Sequence, residues 1–149
     1  MTLRVLLADD HLLFRSALRM SLEAIPGIEV VAEAANGRAA IDAVGLSRAE
    51  VVCMDINMPG LDGIEATSAI LAVHPGVKVI GLSAHVDPVR VADMFRAGAL
   101  GYVHKSHAGT ELPEAILRVN QGLGYLSPEL GVGDMDELMR YVGPAHGAA

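Results

Sequence analysis

Asp9-Asp10, Asp55, Ser83 and Lys105 each follow a short, mostly apolar run: Leu3 to Ala8, Val51 to Met54, Val77 to Leu82, and Leu100 to His104. Such runs read as buried strands, which puts the reactive groups at strand ends. Three carboxylates crowded together repel one another and call for a cation at neutral pH. Oxygen-only ligands favour Mg2+, which keeps waters and completes its shell with phosphate oxygens. A carboxylate is also a nucleophile toward phosphorus, giving an aspartyl phosphate. That transfer needs in-line positioning and neutralised oxygens, to which the cation, Lys105 and the Ser83 hydroxyl are suited. Taken singly, each residue has an ordinary role: Lys105 as surface charge, Ser83 and Asp55 as turn formers, Asp9-Asp10 as a helix cap. Their joint placement at the ends of four strands is what points to a site.

The elements that must position them alternate strictly. After Leu3 to Ala8, residues Phe14, Ala17, Leu18, Ser21, Leu22 and Ile25 recur at helical spacing up to Pro26-Gly27. Ile28 to Ala34 predicts the second strand, and Asn36-Gly37 opens a short helix carrying Ala39, Ala40, Ala43 and Val44. Beyond Asp55, the stretch Asp62-Gly63-Ile64-Glu65 has the form of a capping box and starts a helix to about Val73. His74-Pro75-Gly76 ends it, and Val77 to Ser83 is the fourth strand. Asp87-Pro88 supplies an N-cap and a first-turn proline for a helix through Ala97. Leu100 to His104 is the fifth strand, and Leu112, Ala115, Ile116 and Val119 form the inner stripe of the last helix, closed by Gly122 and Gly124.

Five strand-helix units predict an α/β, doubly wound, five-stranded parallel sheet of flavodoxin-like order 2-1-3-4-5, with helices on both faces. In that order strands 1 and 3 are neighbours, so Asp9, Asp10 and Asp55 converge at the topological switch point. A domain over residues 1–126 is expected. The stretch 127–149, rich in Gly and Pro, is too short to fold alone and reads as a linker, an arm or a docking helix. Met135, Leu138, Met139 and Val142 recur there at helical spacing and predict one short helix over Asp134 to Val142.

The chain has 149 residues, one domain's length, and is 52% hydrophobic with no apolar run long enough to span a bilayer. Its start leaves no room for a signal peptide before the first strand, and the single Cys53 fits a reducing cytoplasm. A net charge of −7 is opposite in sign to a domain that holds nucleic acid by itself.

The stretches Leu7-Ala8-Asp9-Asp10-His11, Met54-Asp55-Ile56-Asn57-Met58-Pro59-Gly60-Leu61-Asp62-Gly63, Gly81-Leu82-Ser83-Ala84 and Gly101-Tyr102-Val103-His104-Lys105 resemble the receiver domain of bacterial two-component response regulators. The resemblance covers about residues 3 to 124. It implies that Asp55 is the phosphoacceptor, that Asp9, Asp10 and Asp55 with the Asn57 backbone carbonyl hold Mg2+, and that Lys105 pairs with the phosphoryl group. Ser83 would be the switch hydroxyl and Tyr102 the aromatic that turns inward behind it. The donor would be a sensor histidine kinase, and the domain would be a switch rather than a turnover enzyme. Two positions depart from the commonest pattern: Ser106 replaces a frequent proline, which leaves the following loop open, and His85 replaces a smaller residue, which leaves the dephosphorylation rate open.

Asp-Asp-His with Phe14-Arg15, and Gly124-Tyr125-Leu126-Ser127-Pro128 after the last helix, are similar to the NarL/FixJ (LuxR-type) subfamily. That similarity implies a homodimer on phosphorylation and control of transcription through a C-terminal helix-turn-helix domain absent from this chain. The alternative is a natural stand-alone receiver acting as a phosphorelay or protein-interaction module. A haloacid-dehalogenase-like phosphatase is disfavoured because Asn57 stands where its acid would be, and a nucleotide-binding flavodoxin-like module because no phosphate-binding glycine motif follows a strand. A zinc site at His104-x-x-His107 lacks further ligands, and His11 reads first as a first-turn helix residue.

Overall fold

The computed structural model describes residues 2–132 and 134–142. Gly133 and residues 143–149 of the expected arm lie outside that range. Strands β1 (Leu3–Ala8), β2 (Ile28–Ala34), β3 (Val51–Asp55), β4 (Lys78–Ser83) and β5 (Gly101–His104) alternate with helices α1 (Leu12–Glu23), α2 (Gly37–Ser47), α3 (Gly63–Val73), α4 (Pro88–Arg96) and α5 (Ala108–Asn120). All strand pairs are parallel, and β1 lies between β2 and β3. Boundaries differ from the sequence reading by a residue or two at the ends of α1, β4, α4 and β5.

The expectation of five strands is corrected to six. Tyr125–Leu126 forms β6, giving the order β2-β1-β3-β4-β5-β6. The Tyr125 amide donates to the Leu100 carbonyl at 3.2 Å and the Ser127 amide to the Tyr102 carbonyl at 2.9 Å. This short strand pairs the otherwise open edge of β5, whose backbone groups would need other partners. A final helix, α6 (Met135–Val142), appears where the spacing predicted one. It packs against α4, with Leu138 fully buried and Met139 against the same core.

Apolar residues on the two faces of the sheet make two cores. Leu6, Val52, Met54 and Val79 pack with α2, α3 and α4, while Val5, Leu7, Cys53, Ile80 and Leu82 pack with Leu18, Leu22, Leu112 and Ile116 of α1 and α5. Each fully buried aliphatic side chain contributes about 1.5–3 kcal/mol relative to exposure, so the central strands are rigid supports for whatever stands at their ends. Burial also pushes the Cys53 thiol up to about 12, which makes it inert core.

The predicted caps form. Asn36 accepts from the Ala39 amide at 2.8 Å. Asp62 and Glu65 exchange both bonds of the capping box, at 2.9 and 3.4 Å, and Asp87 accepts from the amides of Val89 and Arg90. Gly60, at φ +76°, turns the loop after Asp55 through a region that side chains strain to adopt. Gly63 lies against the Asp55 carbonyl and the Ile56 backbone, so a β-carbon there has no room. Gly63→Ala is expected to cost about 1–3 kcal/mol in urea unfolding, because backbone must move to admit it.

Candidate functional site

The ends of β1 and β3 bring two acids together in the sheet's interior. Ala8 pairs with Met54, so Asp9 and Asp55 follow side by side, and each is 2% exposed. Lys105, directly after β5, reaches back between them: its Nζ lies 2.6 Å from Asp9 Oδ2 and 3.1 Å from Asp55 Oδ2. Asp9 Oδ2 accepts no aligned hydrogen bond, so that close ion pair is what meets it. The lysine stem passes the Phe14 ring, with Nζ 4.9 Å from its centroid, a cation–π contact that helps aim the ammonium. Asp10 is more exposed and joins the cluster from the rim.

The remaining oxygens are fixed locally. Asp55 Oδ1 accepts from the Asn57 amide at 3.0 Å, and Asp9 Oδ1 from the His11 amide at 2.8 Å. Arg15 ties the end of β1 to β2, donating to the Asp9 carbonyl at 2.6 Å and to Glu33 at 2.7 Å. Arg90 does the same for the loop after β3, reaching the Ile56 carbonyl, Asn57 Oδ1 and Asp62 Oδ2 at 3.2–3.4 Å. The Asn57 side chain is therefore turned to α4 and not to the carboxylates.

Ser83 and Tyr102 meet on the neighbouring loop instead of at the acids. Ser83 Oγ donates to the His85 carbonyl at 2.8 Å and accepts from the His85 amide at 3.0 Å, while the Tyr102 hydroxyl donates to the same carbonyl at 3.4 Å. Tyr102 is fully buried, and burial pushes its phenol up to about 12. Ser106 has a visible role, since its amide donates to His104 Nδ1 at 3.2 Å, a bond proline cannot make. His104 and His107 do not form a metal pair: their rings are 6.3 Å apart, and His107 holds Glu129. His11 precedes α1 rather than standing in its first turn, and its side chain caps nothing.

Among the described residues one cluster has metal-ligating spacing: atoms of Asp9, Asp10, His11 and Asp55 all lie within 4.8 Å of one another. Three carboxylates, two of them buried, form an acidic pocket able to hold a metal ion. Sequence reasoning anticipated the three acids and the lysine. It did not anticipate Arg90, whose only signal was a basic residue in the first turn of a helix, or the share His11 takes in the cluster.

The sequence profile of the response regulator receiver domain matches residues 5–117. The chain belongs to that family. This receiver domain is 36% identical over 140 residues to the transcriptional regulatory protein DegU of Brevibacillus brevis, covering 94% of the chain and 59% of DegU. It is 40% identical over 128 residues to the response regulator UvrY of Escherichia coli (strain K12), covering 86% of the chain and 59% of UvrY. It thus spans about three-fifths of the length of these relatives. A solved two-component response regulator of the LuxR family from Aurantimonas sp. SI85-9A1 superposes with a TM-score of 0.85 at 33% identity, covering 95% of this receiver domain and 98% of that chain. These likenesses place the receiver domain in the NarL/FixJ (LuxR-type) subfamily. Among the described residues, no helix is long and apolar enough to cross a membrane.

Burial, together with the charge of Asp9, raises the Asp55 carboxyl to about 6, against the pull of Lys105 and the Asn57 amide. The folded chain therefore binds an extra proton between the ordinary carboxylate range and about pH 6, and stability falls as pH rises through that window. In metal-free buffer, Asp55→Asn is expected to stabilise the domain by on the order of 1–3 kcal/mol at pH 7.5, with the gain shrinking as pH drops below 6. Urea unfolding of both proteins across that range measures it.

Proposed function

We propose that the receiver domain accepts a phosphoryl group from a sensor histidine kinase onto Asp55 and passes the change to its α4, β5 and α5 face. The observation that carries this reading is one ammonium, Lys105 Nζ, placed against two buried carboxylates of which one, Asp55, has its second oxygen fixed by a backbone amide. A nucleophile must be ionised and aimed, and with a carboxyl near 6 the Asp55 anion dominates at neutral pH.

Asp9, Asp10, Asp55 and the Asn57 backbone carbonyl are the groups that would hold Mg2+, in keeping with an oxygen donor set short of positive charge. When bound, the ion neutralises phosphoryl oxygens during transfer. An Asp55 carboxylate oxygen attacks phosphorus, the bond from phosphorus to the kinase histidine nitrogen breaks, and the imidazole leaves with the electron pair. Lys105 follows the added charge of about −1.5 to −2. Ser83, released from the His85 carbonyl, donates to a phosphoryl oxygen, and Tyr102, which shares that carbonyl, repacks with it. The reaction is directed at the domain's own side chain, so the domain is a switch that also dephosphorylates itself and not a turnover enzyme. By family likeness it works in the cytoplasm as a dimer when phosphorylated, and controls transcription through a helix-turn-helix domain of a longer protein.

With acetyl phosphate and Mg2+, the parent chain is expected to gain the mass of one phosphoryl group and Asp55→Asn none. Excess chelator should abolish labelling of the parent. Full labelling of the variant, or undiminished labelling in chelator, would contradict the assignment.

A further inference from the structure

His11 is the member of the acidic cluster that phosphoryl transfer leaves unused. Its Nδ1 lies 3.2 Å from Asp9 Oδ1 and 3.4 Å from Asp10 Oδ1. Adjacent ligands held about 2.1 Å from a shared ion stand about 3.0–3.4 Å apart, so these separations suit one coordination shell. The position is built: the His11 amide is pinned to Asp9 Oδ1 at 2.8 Å, and no helix cap occupies the ring. The Lys105 ammonium also faces Nδ1 at 3.4 Å. A divalent ion there would be met by the Nδ1 lone pair in the tautomer that carries its proton on Nε2.

Mg2+ prefers oxygen ligands, whereas imidazole suits Ni2+ and Zn2+. We propose that His11 is a nitrogen ligand of the acidic site and makes it a binding site for first-row transition cations in competition with Mg2+. The inference rests on the cation reading of that site given above. Three carboxylates alone also rank Ni2+ above Mg2+, so the effect of removing His11, not the ranking itself, is decisive.

The test follows Mn2+ bound to the chain by its electron paramagnetic resonance signal, with Ni2+ and Mg2+ titrated as competitors. Displacement of Mn2+ reports on this site and ignores Ni2+ held elsewhere on the chain. Losing a group that merely orients a ligand costs about 10–100-fold in affinity, so His11→Ala should weaken Ni2+ competition by at least about tenfold. Mg2+ competition should change by less than about threefold by the same reasoning, because an oxygen-seeking ion does not need the ring. The retained Mg2+ response also shows that the variant is folded. Equal effects on both ions, or none on either, would overturn the proposal. Failure of Mn2+ to bind the parent chain would instead overturn the cation reading, and the proposal with it.

Discussion

Two carboxylates forced side by side out of water are the constraint on which the rest of this structure depends. Asp9 and Asp55 are each 2% exposed, and parallel pairing of β1 with β3 leaves them no way to separate. Burial penalises each charge and proximity adds repulsion, which is why the Asp55 carboxyl is driven up to about 6. A single ammonium, supplied by Lys105 from the end of β5 two strands from β3, holds the pair in check. One positive charge against three acids leaves the pocket short of cation, a state that favours a bound metal ion.

The surrounding scaffold keeps that conflict from relaxing. Gly63 lets α3 press against the backbone of Asp55 and Ile56, so the acid cannot swing outward with its loop. Arg15 fixes the end of β1 to β2, and Arg90 clasps the loop after β3 to α4. Ser83 and Tyr102 hang from one carbonyl, that of His85, in the loop leading to α4. Tyr102 in turn lies on β5, whose outer edge carries β6. A change at the acids thus has short mechanical routes to α4, and from there to α6, which packs on it.

Much of this was legible in the sequence because it is local. Apolar runs cut short by acids located β1 and β3, and the Asp62–Glu65 and Asp87–Pro88 signals located two helix starts, since caps depend on residues two or three apart. Asp9, Asp10, Asp55 and Lys105 were readable because each ends its strand. What escaped depends on contacts distant in sequence. Strand β6 has two residues, too few for periodicity, and exists because β5 offers an unpaired edge. Arg90 finds Asn57 and Asp62 only after α4 docks, and His11 turns its ring to the acids because the chain leaves β1 at a fixed angle before α1.

The central claim is that the buried pair is a receptor for one divalent ion and one phosphoryl-like group, with Lys105 as the moving counter-charge. A crystal structure grown with Mg2+ and beryllofluoride tests it most directly. The account predicts beryllium bonded to one Asp55 oxygen, Mg2+ held by Asp9, Asp10, Asp55 and the Asn57 carbonyl, and Lys105 Nζ shifted from Asp9 onto a fluoride. Beryllofluoride on another carboxylate, or a filled site in which Lys105 still bridges Asp9 and Asp55 unchanged, would contradict it.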